Sequence, residues 1–254
     1  MEPQTSPFDL NFRLFGIPIR VSPWFWLFSG LFSFQYLQDA AHPYAFFFIS
    51  IGCMFFSILV HEMGHAVTMR LFRLPARVIL LAMGGVAISP FPANERWKRI
   101  AISLAGPAAG IGLLFLPLYF GQYWLLSRFP SVFLHQAIAV LLLFTGLWNV
   151  VNLLPVYPLD GGQATLEVTT GVSNRRGPVY AFGIGFITAG LVVLLFVLRL
   201  RETAWKGEID RWIERTMPSL ARLDPIFMIV IFGLLAMTNF TQMRKAESRP
   251  DPWD

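Results

Sequence analysis

Tyr44–Arg70 reads YAFFFISIGCMFFSILVHEMGHAVTMR, an apolar run with His61-Glu62-Met63-Gly64-His65 set near its end. About 20 residues at 1.5 Å each cross the ~30 Å hydrocarbon core of a bilayer as a helix, so the run is long enough to span one. Residues four apart share a helix face. His61 and His65 can therefore offer imidazole nitrogens to one Zn²⁺ at about 2.0–2.1 Å, while Glu62, one step round, can take the proton of an attacking water. That division of labour is the one expected of this metalloprotease motif. By composition the pattern arises by accident in roughly 0.002 chains of this size. With Arg70 marking the membrane interface, His61 lies about 14 Å and His65 about 8 Å inside it. Ionisable groups at that depth cost roughly 2.5–3.5 kcal/mol each on insertion scales, and a bound cation offsets that cost.

The rest of the chain has the same character. Of 254 residues, 55% are hydrophobic and 14% charged, against about 25% charged in soluble domains, which excludes a typical soluble domain and a disordered chain. The single cysteine, Cys53, excludes an internal disulfide scaffold. A net charge of +5 without a basic patch interleaved with aromatics excludes nucleic acid as a partner. The N-terminal MEPQTSPFDL lacks a basic stretch followed by an apolar run and a cleavage site, so no cleaved signal is expected.

Further spans are predicted at 22–37, 100–120, 132–154 and 180–198, with a shorter sixth candidate at 225–240 that either crosses a thinned bilayer or lies in its interface. Between the second and third spans, Val78–Pro92 is apolar but carries Gly84-Gly85 and is bounded by prolines. That suits a membrane-embedded hairpin better than a helix. The expected fold is an all-α integral membrane protein with five to six transmembrane helices and that hairpin between helices 2 and 3. Its segments are an N-terminal membrane-entry segment (1–21), a transmembrane core (22–200), an amphipathic interfacial segment (201–224), and a short apolar segment with a polar tail (225–254). With the N-terminus inside, 13 Lys and Arg fall on the inner side and 7 on the outer, most of the outer ones between Arg199 and Arg222.

Two histidines do not complete a catalytic zinc site, which has three protein ligands and an open position. His135 and His42 are candidates by residue type, but both fall toward the outer side. The stretch Asn152-Leu-Leu-Pro155-Val-Tyr157-Pro158-Leu-Asp160-Gly161-Gly162 ends the fourth predicted span at about the depth of His61. Pro155 and Pro158 break the helix and the glycines allow a tight turn, so Asp160 either points sideways into the bundle as a ligand or caps the next helix.

Taken in order, several motifs resemble the site-2 proteases, zinc metalloproteases that cut substrates within the membrane. Phe15–Leu27 (FGIPIRVSPWFWL) resembles the family's entry segment, Ser57–Ala66 its zinc helix, and Leu80–Ala87 its membrane-embedded strand region. Glu95–Pro107 resembles the start of its third core helix, and Asn152–Gly162 its second metal motif. The two metal motifs, 95 residues apart from His65 to Asp160, are the specific part. The resemblance implies that His61, His65 and Asp160 are zinc ligands and Glu62 the general base. It also implies that Asn152 steadies the scissile carbonyl or its oxyanion, with Asn149 one turn earlier on nearly the same face. Gly84 and Gly85 match the strand whose edge pairs with unwound substrate. The chain departs from the family at Gly110, where Asn is frequent after LAGP, and at Gln163, where Arg is frequent after DGG. No segment resembles a PDZ or cystathionine-synthase-type domain.

The expected activity is hydrolysis of a peptide bond in or near a transmembrane segment of a membrane protein, in regulated intramembrane proteolysis, with Zn²⁺ as cofactor. The expected place is a bacterial or archaeal cell membrane, with the site near the cytoplasmic side. Rival readings are the prenyl-protein metalloprotease type, with Glu167 as third ligand, a non-catalytic zinc-binding scaffold, and a metal transporter.

Overall fold

The computed structural model describes residues 6–38, 41–82, 84–200 and 225–248. The predicted interfacial segment 201–224 lies outside the described residues. Two compact units are formed, one from 1–94 and 105–149, the other from 95–104 and 150–254.

The first unit opens with strands β1 (Leu10–Leu14) and β2 (Ile17–Val21). Phe15 and Gly16, both at positive φ, close the two-residue turn between them. Alternation in β2 puts Ile17, Ile19 and Val21 on one face, fully buried, and Pro18 and Arg20 on the other. Ser22 then caps α1 (Pro23–Ser33), accepting from the Trp24 N–H, with Pro23 at the first helical position. The helix α2 (Pro43–Leu71) carries the histidine motif. Strands β3 (Arg77–Leu81) and β4 (Gly84–Ile88) follow as an antiparallel hairpin. β2 pairs parallel to β3, with Ile19 opposite Val78 and Val21 opposite Leu80, so the four strands form one sheet in the order β1-β2-β3-β4. Ile17, Ile19, Val21, Val78 and Leu80 pack in one cluster with Ile58, Leu59, Met63 and Ala66 of α2. The sheet thus rests on the helix at the level of the motif.

A long helix follows, built of α3 (Arg96–Ala109), a wide π turn (Gly110–Phe115) and α4 (Leu116–Arg128). Pro107 removes one N–H from its ladder, and the π turn begins three residues after it. α5 (Val132–Asn152) ends at the second motif. In the second unit α6 (Asp160–Val172), α7 (Gly177–Leu200) and α8 (Pro225–Glu247) pack, with Val156, Ala189, Phe196, Met228 and Phe232 as their buried core.

Among the described residues five helices are long and apolar enough to cross a membrane: Pro43–Leu71, Arg96–Arg128, Val132–Asn152, Gly177–Leu200 and Pro225–Glu247. The chain is an integral membrane protein of helical class, as expected. Two spans differ from expectation in length. The first becomes an 11-residue helix of about 16 Å followed by a 3₁₀ turn (Phe34–Gln38), because Gln35 and Gln38 interrupt the apolar run. The sixth becomes a full 23-residue helix. Its polar residues Thr238, Asn239 and Thr241 donate to carbonyls four residues back, so they do not end it. Within the N-terminal segment 1–21, expected as a membrane entry, residues 10–21 form the hairpin that extends the β3–β4 sheet.

Candidate metal centre

Cys53, Ser57, His61 and His65 lie four residues apart on one face of α2. Three of them bond to α5: Cys53 Sγ donates to the Ala137 carbonyl at 3.6 Å, Ser57 and Thr145 hydroxyls meet at 2.9 Å, and His61 Nδ1 lies 2.8 Å from Asn149 Oδ1. Such bonds between membrane helices contribute on average only about 0.6 kcal/mol each. Their larger effect is to fix the register of the two helices.

The Asn149 bond also fixes a proton. Asn149 Nδ2 donates to the Thr145 carbonyl at 2.6 Å, which can only accept, so Oδ1 is the atom facing His61. Nδ1 of His61 must then carry hydrogen, which leaves Nε2 as the ring nitrogen that can turn to a cation. That Nε2 lies 3.2 Å from Nε2 of His65, the two rings nearly perpendicular at 79°. Both imidazoles are buried, and a hydrogen bond at Nδ1 is the partner that orients a metal-binding imidazole.

Small residues let α3 come close to this helix face. A Cβ on Gly64 would lie 2.7 Å from that of Ala109, and one on Gly106 would strike the His65 ring. The departure at Gly110 has a physical reason, since the Asn149 amide fills the space a side chain there would need, with Oδ1 at 2.5 Å from an added Cβ. Gly85 of β4 passes directly over Glu62, whose Oε1 would be 2.8 Å from a Cβ at that position. Gly84 takes φ 153°, which L side chains avoid, and a Cβ there would also meet Trp148 at 2.7 Å. Glu62 is 3% exposed. Within this unit the structure brings together His61, His65, Glu62, Gly84 and Gly85, all expected from sequence, and adds Asn149 as the residue orienting His61.

Asn152 and Asp160 belong to the second unit. Asn152 is the buried last residue of α5. Asp160 is buried as the first residue of α6, and Leu159 occupies the cap, so the capping alternative does not hold. Gly161 and Gly162 pack on the Leu153–Tyr157 backbone with no room for side chains, which is why two glycines follow Asp160. Glu167 accepts two hydrogen bonds from Arg99, at 2.7 and 2.8 Å. In the first unit His135 is exposed, and His42 is exposed beside Phe46 and Phe133.

The orienting role of Asn149 was missed because its signal is relational: an Asn one helical turn after Thr145 means nothing until α5 is set beside α2. A polar residue facing a helix bundle was the available hint.

A relative from Synechocystis that carries the name of a zinc metalloprotease is 32% identical over 176 residues, covering 64% of this chain and 44% of its own. Stage IV sporulation protein FB of Bacillus subtilis is 31% identical over 140 residues, 50% of this chain and 46% of its own. This chain thus spans about half the length of these curated relatives. The solved site-2 protease of Methanocaldococcus jannaschii shares the fold, with a TM-score of 0.51 at 19% identity over 93% of this chain and 95% of that one. The model of peptidase family M50 matches residues 49–198, a stretch that contains His61, Glu62 and His65, the β3–β4 hairpin and the Asp160 motif, and on that match the chain belongs to peptidase family M50.

Proposed function

We propose that this protein is a zinc-dependent intramembrane endopeptidase that hydrolyses a peptide bond in or near a transmembrane segment of a membrane protein substrate. The observation that carries the reading is the pair of buried imidazoles with facing Nε2 atoms and the buried Glu62 beside them, on a helix long enough to cross a bilayer. The donor chemistry fits zinc, with two imidazoles and, from the second motif, the Asp160 carboxylate. His61, His65 and Asp160 would hold the ion. Zinc, when bound, supplies Lewis acidity and makes water a nucleophile near neutral pH.

The remaining steps fall to the chain's own residues. Glu62 accepts the proton of the attacking water and passes it to the leaving amine. Asn152 donates to the carbonyl oxygen as negative charge develops there. Asn149 already has a task, because its amide is held between the His61 ring and the Thr145 carbonyl. An unwound substrate segment would pair along β4, which is an edge strand among the described residues, with Gly84 and Gly85 letting it approach Glu62. The positive residues after His65 support a site toward the cytoplasmic side, with water entering from there. A scaffold or transporter would need zinc ligands but no base, and Glu62 beside the two imidazoles favours catalysis.

The test is metal content joined to substrate trapping. Purified protein should hold about one zinc per chain. Glu62→Gln should keep the zinc, lose cleavage of a transmembrane reporter, and retain the uncut reporter on pull-down. Cleavage by Glu62→Gln at the unaltered rate would overturn the proposal.

A further inference from the structure

α8 lies beyond the residues matched by the family model, which end at 198. In its middle is Asn239, an amide with no exposed surface on a helix long enough to cross a bilayer. A polar side chain at such depth is retained where it has a task. Among the described residues Asn239 bonds to no other side chain. Its Nδ2 donates to the Tyr157 carbonyl at 2.7 Å and its Oδ1 accepts the Tyr157 N–H at 3.2 Å, so it grips both polar groups of one residue as a neighbouring β-strand would. A further bond from Nδ2 to the Leu235 carbonyl, at 2.8 Å, holds the amide in that plane.

Tyr157 stands three residues before Asp160, in a segment where proline at 155 and 158 leaves few backbone bonds to hold it. The segment's own bonds, Val156 N–H to Leu154 and Leu159 N–H to Val156, bracket Tyr157 and leave its peptide groups to Asn239. The approach is built in from a third helix: Gly185 of α7 leaves the space, since a Cβ there would lie 2.9 Å from Asn239 Cγ and 3.2 Å from the Pro155 carbonyl oxygen. Three elements of the second unit thus converge on the backbone that aims Asp160.

We infer that Asn239 is a positioning residue for the metal site, clamping the 155–158 turn so that the Asp160 carboxylate is held in its ligating direction. The inference rests on the proposed ligand role of Asp160. It gives α8 a part in catalysis through the loop, without contact to substrate.

The experiment uses the full chain in detergent or nanodiscs, loaded with Zn²⁺ or Co²⁺ alone. Asn239→Leu should weaken metal affinity about 10- to 100-fold, as loss of residues that orient ligands does elsewhere, and should change the visible Co²⁺ spectrum. Gly185→Ala, which crowds the same amide without removing it, should shift both in the same direction, and decides the matter if Asn239→Leu does not fold. Phe46→Ala, which empties a buried position fifteen residues before His61 and far along the chain from the 155–158 turn, should lower the unfolding temperature yet leave the Co²⁺ spectrum unchanged. Thr238→Ala, bonded only within its own exposed helix face, should change neither. Wild-type affinity and spectrum in Asn239→Leu, or in Gly185→Ala if that variant alone folds, overturn the inference. Asp160→Ala separates the two levels. If it loses metal while Asn239→Leu keeps it unaltered, only the clamp fails; if Asp160→Ala itself binds normally, the ligand assignment fails and the clamp with it.

Discussion

Asn149 Oδ1 accepts the Nδ1 proton of His61 at 2.8 Å, and the Thr145 carbonyl, by taking the Asn149 amide hydrogen, leaves that bond no other polarity. The tautomer of a proposed metal ligand is therefore set by a backbone carbonyl one helix away. Asn149→Leu removes the acceptor and frees the imidazole to rotate or change tautomer. Zinc affinity should fall about 10- to 100-fold, measured by chelator competition, while Asn149→Asp, which keeps an acceptor, should retain most of it. Equal affinity in all three proteins would show that His61 needs no such partner.

The contact between Gly85 and Glu62 gives a prediction of the opposite kind, in which activity falls and metal stays. In Gly85→Ala the new methyl group would sit 2.8 Å from Glu62 Oε1, so the carboxylate must turn away or the strand must lift. Either change separates the proposed base from the strand edge. Reporter cleavage should drop more than about tenfold, the scale of misplaced general bases, with zinc content unchanged. Zinc loss in this variant would mean that β4 supports the ligands themselves.

How much of this was legible beforehand depends on whether the information was local. The histidine pair, Glu62 and the Pro-Gly stretch around Asp160 are local patterns, fixed by helix periodicity and backbone stereochemistry, and the sequence alone places them. The β3–β4 hairpin followed from Gly84-Gly85 for the same reason. The pairing of β2 with β3 did not, because it joins residues nearly sixty apart and depends on a register that alternation alone leaves open. Asn149 and Asn239 were out of reach for a related reason. Each is a single amide in an apolar helix, and its partner, a histidine 88 residues away or a backbone 82 residues away, is identified only by packing. Hydropathy alone makes α8 too short because Thr238, Asn239 and Thr241 count as polar, although each bonds a carbonyl one turn back within the helix.

Close packing of α2 on α3 predicts a stability effect distinct from the hydrogen bonds. Gly64→Ala would bring a methyl group within 2.7 Å of the Ala109 Cβ and against the Ala105 carbonyl, between two helices that cannot separate without disturbing His65. Overpacking of this kind costs about 1–3 kcal/mol. Ser57→Ala, which removes the bond to Thr145, should cost about 0.6 kcal/mol, the average for such bonds in membranes. Steric-trap or denaturant unfolding should therefore rank Gly64→Ala as the more damaging, although it deletes no interaction. The reverse order would mean that the polar ladder, not the small-residue contact, holds these helices together.

The identity of the third ligand can be decided between two carboxylates seven residues apart on the same helix. Asp160 opens α6, and Glu167 lies two turns on, held by both of its oxygens to Arg99. A carboxylate in a two-bond pair with guanidinium has its lone pairs directed at that partner, and freeing it would leave the arginine charge uncompensated. Glu167 is thus a structural anion. Glu167→Gln should keep full zinc content and cleavage, and because the pair is partly exposed its loss should change stability by no more than about 1 kcal/mol. Asp160→Asn should lose most of the zinc while folding normally, since the amide keeps the shape of the side chain without its charge. Zinc analysis of the two purified proteins gives the answer directly: metal lost with Glu167 and kept without Asp160 would move the ligand two turns along α6 and exchange this mechanism for the glutamate-ligand type.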